Sequence, residues 1–124
     1  MKTVSTNLAP SAIGPYSQAK ITGNLVFVSG QIPVNPDSGV VVSGGIEEQT
    51  HQVCKNLSAI LLSSGSSLEN VVKTTCYLSE IADFAKFNEV YAEYFTTCPA
   101  RACVAVKDLP KGVLVEIDAI GEIL

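Results

Sequence analysis

The sequence predicts a single α+β domain: a two-layer sandwich in which a mixed β-sheet carries two helices on one face. Three observations carry that prediction. Two segments space their apolar residues as helices do. The remaining apolar segments are short, rich in β-branched residues and bounded by Gly, Pro, Asn or Asp. The chain has 124 residues, 47% of them apolar, which suits one core and one domain over residues 1–124. No linker, tandem repeat or low-complexity tract divides it.

Taken in order, the elements read β-β-β-α-β-α-β-β. The first 24 residues are loop-like, rich in Gly, Pro, Ser and Asn. Within them SQAKI (17–21), the turn Thr22-Gly23-Asn24 and LVFVS (25–29) form a hairpin pattern. QIPVNPDSG is punctuated by Pro33, Pro36 and Gly39, and VVV (40–42) follows as a short extended piece. From Ile46 the period turns helical, with Val53, Leu57, Ile60 and Leu61 on one face. Glu47 and Glu48 favour its first turn and Gly65 its end. VVKTTCYL (71–78) is a strand. A second helix is expected from an N-cap at Ser79 to Pro99, carrying the stripe Phe84, Phe87, Tyr91, Tyr94 and Phe95. ACVAV (102–106) and VLVEIDAI (113–120) close the chain as strands.

The last strand predicts more than its own pairing. Val113, Val115, Ile117 and Ala119 make one face; Leu114, Glu116, Asp118 and Ile120 make the other. Two helices can cover only one side of the sheet. The second side needs another copy of the chain, with Glu116 facing it, or it leaves an apolar patch exposed.

The net charge of −4, with Lys and Arg dispersed, argues against non-specific nucleic-acid binding, which needs a basic face. No apolar run approaches the ~20 residues of a membrane span, and MKTVSTNLAPSAIG lacks a signal-peptide core. A cytoplasmic location is expected. Cys54, Cys76, Cys98 and Cys103 form no CxxC pair, and the single His51 gives no metal-ligand spacing. Reduced thiols and a solvated His51 are expected.

Charge inside the strands is the main functional signal. Arg101 and Glu116 read either as a partly buried ion pair, of little net stability, or as a site. In a site the guanidinium fork grips a carboxylate or phosphate and the acid handles a water. If the last two strands pair antiparallel, both lie near one cleft. In GPYSQA (14–19) Tyr16 either plugs the core edge or lends a phenol to that cleft. In SGQIP (29–33) Gly30 is either plain turn chemistry or a place where a ligand approaches the backbone, with Ser29 as a donor. Cys103 has no evident base to make it a nucleophile. The facing of Asn88 is ambiguous, and the aromatic stripe of the second helix reads as core.

Together GPYSQA, SGQIP, EQTHQVCKNL (48–57), VVKTTCYL, DFAKFNEVYAEYF (83–95), PARACV (99–104) and LPKGVLVEIDAI (109–120) resemble the Rid (YjgF) family of imine deaminases, in order and over nearly the whole chain. The resemblance implies a chorismate-mutase-like fold, a homotrimer and active sites between subunits. It implies hydrolysis of 2-imino acids, or their enamines, to 2-keto acids and ammonia, with no cofactor or metal. By the same resemblance Arg101 matches the holder of the substrate carboxylate, and Cys103 a backbone carbonyl that helps place water or imine nitrogen. Glu116 matches the acid that positions water and relays protons. Tyr16, Ser29, Gly30 and Asn88 match residues lining the pocket. The short TTC link (96–98) before Pro99 departs from relatives with a longer, often aromatic link. Two rivals stand beside this expectation: a translation-inhibiting ribonuclease, and a non-catalytic keto-acid sensor.

Overall fold

Strand β6 (Val115–Glu122) is the middle of the molecule, and its alternation sets the layering. Val115, Ile117 and Ala119 are buried, whereas Glu116, Asp118 and Ile120 stand half-exposed on the other face. The computed structural model describes residues 1–124. Its six strands are β1 (Lys2–Val4), β2 (Ala19–Thr22), β3 (Leu25–Gln31), β4 (Val71–Leu78), β5 (Ala100–Ala105) and β6, in the sheet order β1-β2-β3-β6-β4-β5. All neighbours are antiparallel except β4 and β5, which run parallel across a helical crossover. The expected mixed sheet with two helices on one face is what the chain forms.

Helix α1 (Ile46–Ser63) buries Val53, Leu57, Ile60 and Leu61, the stripe read from the sequence. Its N-terminus is closed by Glu48, whose Oε1 accepts the Gly45 N–H at 2.7 Å. Helix α2 (Phe84–Tyr94) buries Phe87 and Tyr91. It starts later than an N-cap at Ser79 implies, because the Ser79 N–H is engaged by the Leu114 carbonyl at 3.1 Å and a 3-10 turn, Ile81–Asp83, intervenes. It also stops short of Pro99. Both helices pack on the face of β6 that holds Ile117, where 20 buried residues form one core cluster.

Two expectations about strands need correction. VVV (40–42) is not a strand; it makes an isolated bridge, Val34 with Val41, inside a loop. The third strand of the count is instead β1, three residues too few to show a period. The more consequential correction concerns the last two strands. β5 and β6 do not pair, because β4 lies between them. β5 lies instead on the edge of the sheet, with five residues of ARACVA exposed in the single chain. An apolar strand left on an open edge is a surface that needs covering.

Candidate functional site

Arg101 stands on the helix side of the sheet. It pairs with Thr74 in the parallel β4–β5 ladder, and Thr74 is fully buried toward the helices. The guanidinium Nη1 donates to Asn88 Oδ1 at 2.7 Å. The same group lies 4.8 Å from the ring centroid of Tyr91 and 5.5 Å from that of Phe84. Phe84, Asn88 and Tyr91 fall at i, i+4 and i+7 of α2, so one helical face holds the arginine from three points. No carboxylate of the chain engages the fork.

The ladder also decides which backbone groups of β5 are free. Val106 donates its N–H to the Leu78 carbonyl at 2.9 Å, and Leu78 is the partner of Ala105. That parity turns the N–H and C=O of Arg101, Cys103 and Ala105 outward, away from β4. Cys103 therefore presents its carbonyl at the open edge beside Arg101. Burial raises the pKa of its thiol, against a smaller pull from Arg101, so the sulfur stays protonated.

Glu116 stands on the opposite face. It heads a cleft of about 830 Å³ whose lining includes Tyr16, Ser29, Gly30, Gln31, Lys111 and Glu116. The β3–β6 register slips between Val28 and Gln31, so Ser29 and Gly30 together oppose Asp118. This bulge brings the backbone of Gly30 under the Glu116 side chain. A Cβ at Gly30 would overlap the carboxylate, with Glu116 Cδ only 2.9 Å away, so glycine is what allows the acid to sit there. Burial, and then the nearby Asp118, raise the pKa of Glu116. Asp118 is in turn approached by the Tyr77 hydroxyl at 3.3 Å.

Tyr16 follows the Gly14-Pro15 turn and is about half exposed, 53%, at the rim of the cleft. It does not plug the core edge. Ser29 is not the free donor expected: its hydroxyl donates to the Ser17 carbonyl at 2.5 Å. Gln18 holds the rim from behind, bonding the backbone of Thr6 and Pro10. His51 is half-buried rather than solvated, with Nδ1 2.8 Å from the Tyr94 hydroxyl. No three His, Cys, Asp or Glu side chains converge as metal ligands.

Seven predicted residues thus fall into two groups. Arg101, Asn88 and Cys103 gather at the β5 edge and α2; Tyr16, Ser29, Gly30 and Glu116 gather in the cleft. The groups do not meet within a chain. Strands are ~4.8 Å apart, so β4 separates β5 and β6 by about 10 Å. Arg101 and Glu116 also point to opposite faces, which rules out the ion pair between them inside one chain. Phe84, Tyr91, Thr74 and Asp118 were missed by sequence reasoning. The i, i+4, i+7 spacing of Phe84, Asn88 and Tyr91 was a usable signal, masked because the aromatic stripe also supplies core.

The described geometry has relatives. The family model for endoribonuclease L-PSP matches residues 6–123. A RutC family protein of Pyrococcus abyssi is 53% identical over 121 residues, covering 97% of this chain and 95% of that protein. The human 2-iminobutanoate/2-iminopropanoate deaminase is 48% identical over 121 residues, covering 97% of this chain and 88% of that protein. The crystal structure of E. coli TdcF with bound serine superposes with a TM-score of 0.94 at 40% identity, covering 98% of each chain.

Proposed function

From the premise that this chain belongs to the endoribonuclease L-PSP (YjgF/Rid) family, we propose that it is a hydrolytic deaminase of 2-imino acids such as 2-iminobutanoate and 2-iminopropanoate. The proposal extends to an active site formed where the β5 edge of one copy meets the cleft of another, in a homotrimer. The carrying observation is Arg101: a guanidinium oriented by Asn88 and two rings, with the rest of its fork unpaired in the chain. Such a fork suits the carboxylate that every 2-imino acid carries. The human relative named for this activity and the serine bound to the E. coli relative, itself an amino-acid carboxylate, support the same reading.

The chemistry asked of the site is modest. A protonated imine carbon is already electrophilic, so the task is to hold the substrate and place a water. Arg101 grips the carboxylate. The outward Cys103 carbonyl accepts an N–H of the iminium. Glu116 from the neighbouring copy takes a proton as water adds to the carbon, giving a carbinolamine. It returns that proton to nitrogen and takes up the carbinolamine hydroxyl proton as the C–N bond breaks, so that ammonia and the 2-keto acid leave and the proton is released with them as ammonium. Tyr16 lines the rim. The sum is imine plus water to ketone plus ammonia, with no electron change.

A ribonuclease reading is prompted by the description of the family model. It finds little physical support here, since the chain has a net charge of −4 and its one histidine is engaged with Tyr94.

The deciding assay couples the chain to a dehydratase that releases 2-iminobutanoate from threonine. Ammonia and 2-ketobutyrate should form faster than by spontaneous hydrolysis, in proportion to added protein. Binding of 2-ketobutyrate without acceleration would indicate a sensor and overturn the proposal.

A further inference from the structure

Arg101 is the sole arginine of the chain, and one hydrogen bond to Asn88 does not fix a planar group. A single bond leaves the guanidinium free to swing about it, so the flanking rings must set the plane, Phe84 at 5.5 Å and, closer, Tyr91 at 4.8 Å. The Tyr91 ring lies against the guanidinium and stacks at 4.4 Å on Phe95. That ring is itself tethered: its hydroxyl is 2.7 Å from the Thr74 hydroxyl, in a buried pair. Thr74 is also the ladder partner of Arg101, so their side chains leave the sheet side by side. Burial pushes the Tyr91 phenol up to about 12, keeping it neutral.

We infer that the Thr74–Tyr91 hydroxyl bond sets the plane of the Arg101 guanidinium, which makes Thr74 and Tyr91 positioning residues for the carboxylate anchor. Neither touches substrate; both act through Arg101. Without the Thr74 hydroxyl the Tyr91 phenol is left buried and unpartnered; without the phenol Thr74 keeps only the weak Cys76 S–H at 3.9 Å. Either way the ring loses its tether, slides along Phe95, and the fork loses its aim. The kinetic consequence rests on the deaminase reading above. The geometric consequence does not.

Three variants separate positioning from packing. Thr74→Val keeps shape and loses the hydroxyl; Thr74→Ser keeps the hydroxyl and loses a methyl; Tyr91→Phe loses the phenol alone. With one arginine, the Nε–Hε signal of 15N-labelled protein is unambiguous, and it is recorded without ligand at mildly acidic pH. The signal should be sharp and ring-shifted in the wild type and in Thr74→Ser. It should broaden or move toward the free-arginine position in Thr74→Val and Tyr91→Phe. In the imine assay the latter two should raise KM about tenfold with kcat nearly unchanged, since the carboxylate is held equally in ground and transition states. An unchanged signal in Thr74→Val and Tyr91→Phe would overturn the inference. So would a Thr74→Ser variant as perturbed as Thr74→Val, because that pattern reports packing. If the wild type hydrolyses no imine, the functional reading fails while the Arg101 signal still decides this point.

Discussion

Replacing Arg101 with lysine should lower kcat/KM for 2-iminobutanoate by about two orders of magnitude, and replacing it with alanine by more. A bidentate grip makes two charge-assisted hydrogen bonds, each about 1.5–3 kcal/mol. Every ~1.4 kcal/mol is tenfold in rate, so Arg101→Ala should lose roughly 10²–10⁴. Lysine retains the charge but not the fork, and its ammonium cannot lie flat on Tyr91 while donating to Asn88. The fold should persist in both variants, because Arg101 lies on the exposed edge strand β5 and outside the core cluster. Circular dichroism and the melting temperature should match wild type within a few degrees. A near-normal kcat/KM in Arg101→Ala would remove the anchor from the mechanism.

Glu116→Gln should lower kcat by roughly 10²–10⁴, the range expected for loss of a general acid–base group. KM should change little, since the carboxylate of the substrate is held elsewhere. Stability should not fall and should rise slightly. The sign follows from the raised pKa of Glu116, caused by burial and then by Asp118. A carboxyl group whose pKa is higher folded than unfolded favours the fold at low pH and loses that contribution as pH rises through the folded value. At neutral pH its ionised form weakens the fold, and glutamine removes that cost. In the wild type the acid limb of kcat/KM should lie above the ordinary glutamate range of about 4.3. Asp118→Asn removes the second cause and should move that limb to lower pH. A limb that stays put in Asp118→Asn, or full turnover in Glu116→Gln, would contradict the role given to Glu116.

Much of the fold was legible because its signals are local. The α1 stripe, the hairpin around Gly23 and the alternation of β6 each follow from a period and a turn residue. The two-sided character of β6 correctly placed Glu116 on the face away from the helices. What the sequence could not show was strand order. Residues 102–106 and 113–120 are close in the chain, and adjacency suggested a hairpin. The parallel pairing of β5 with β4 depends on α2 packing as a crossover, which no short-range pattern encodes. That error concealed the main fact of the site, namely that Arg101 and Glu116 face apart. The arginine cradle was missed for a related reason. Tyr91 is both core residue and ring under the guanidinium, and helical spacing reports the first role without the second.

The central claim is that one active site draws Arg101 from one copy and Glu116 from another. It is tested by mixing two inactive proteins. Arg101→Ala and Glu116→Gln chains, carrying different affinity tags, are unfolded together in equal amounts, refolded, and checked for mixed assemblies by double-tag capture. With random assembly around a closed ring, about a quarter of the sites combine a wild-type Arg101 with a wild-type Glu116. Assayed at substrate below KM, the mixture should therefore regain about a quarter of wild-type imine hydrolysis, while each variant refolded alone stays near the background rate. Mixed assemblies that are captured yet remain as inactive as the separate variants would contradict a site shared between copies.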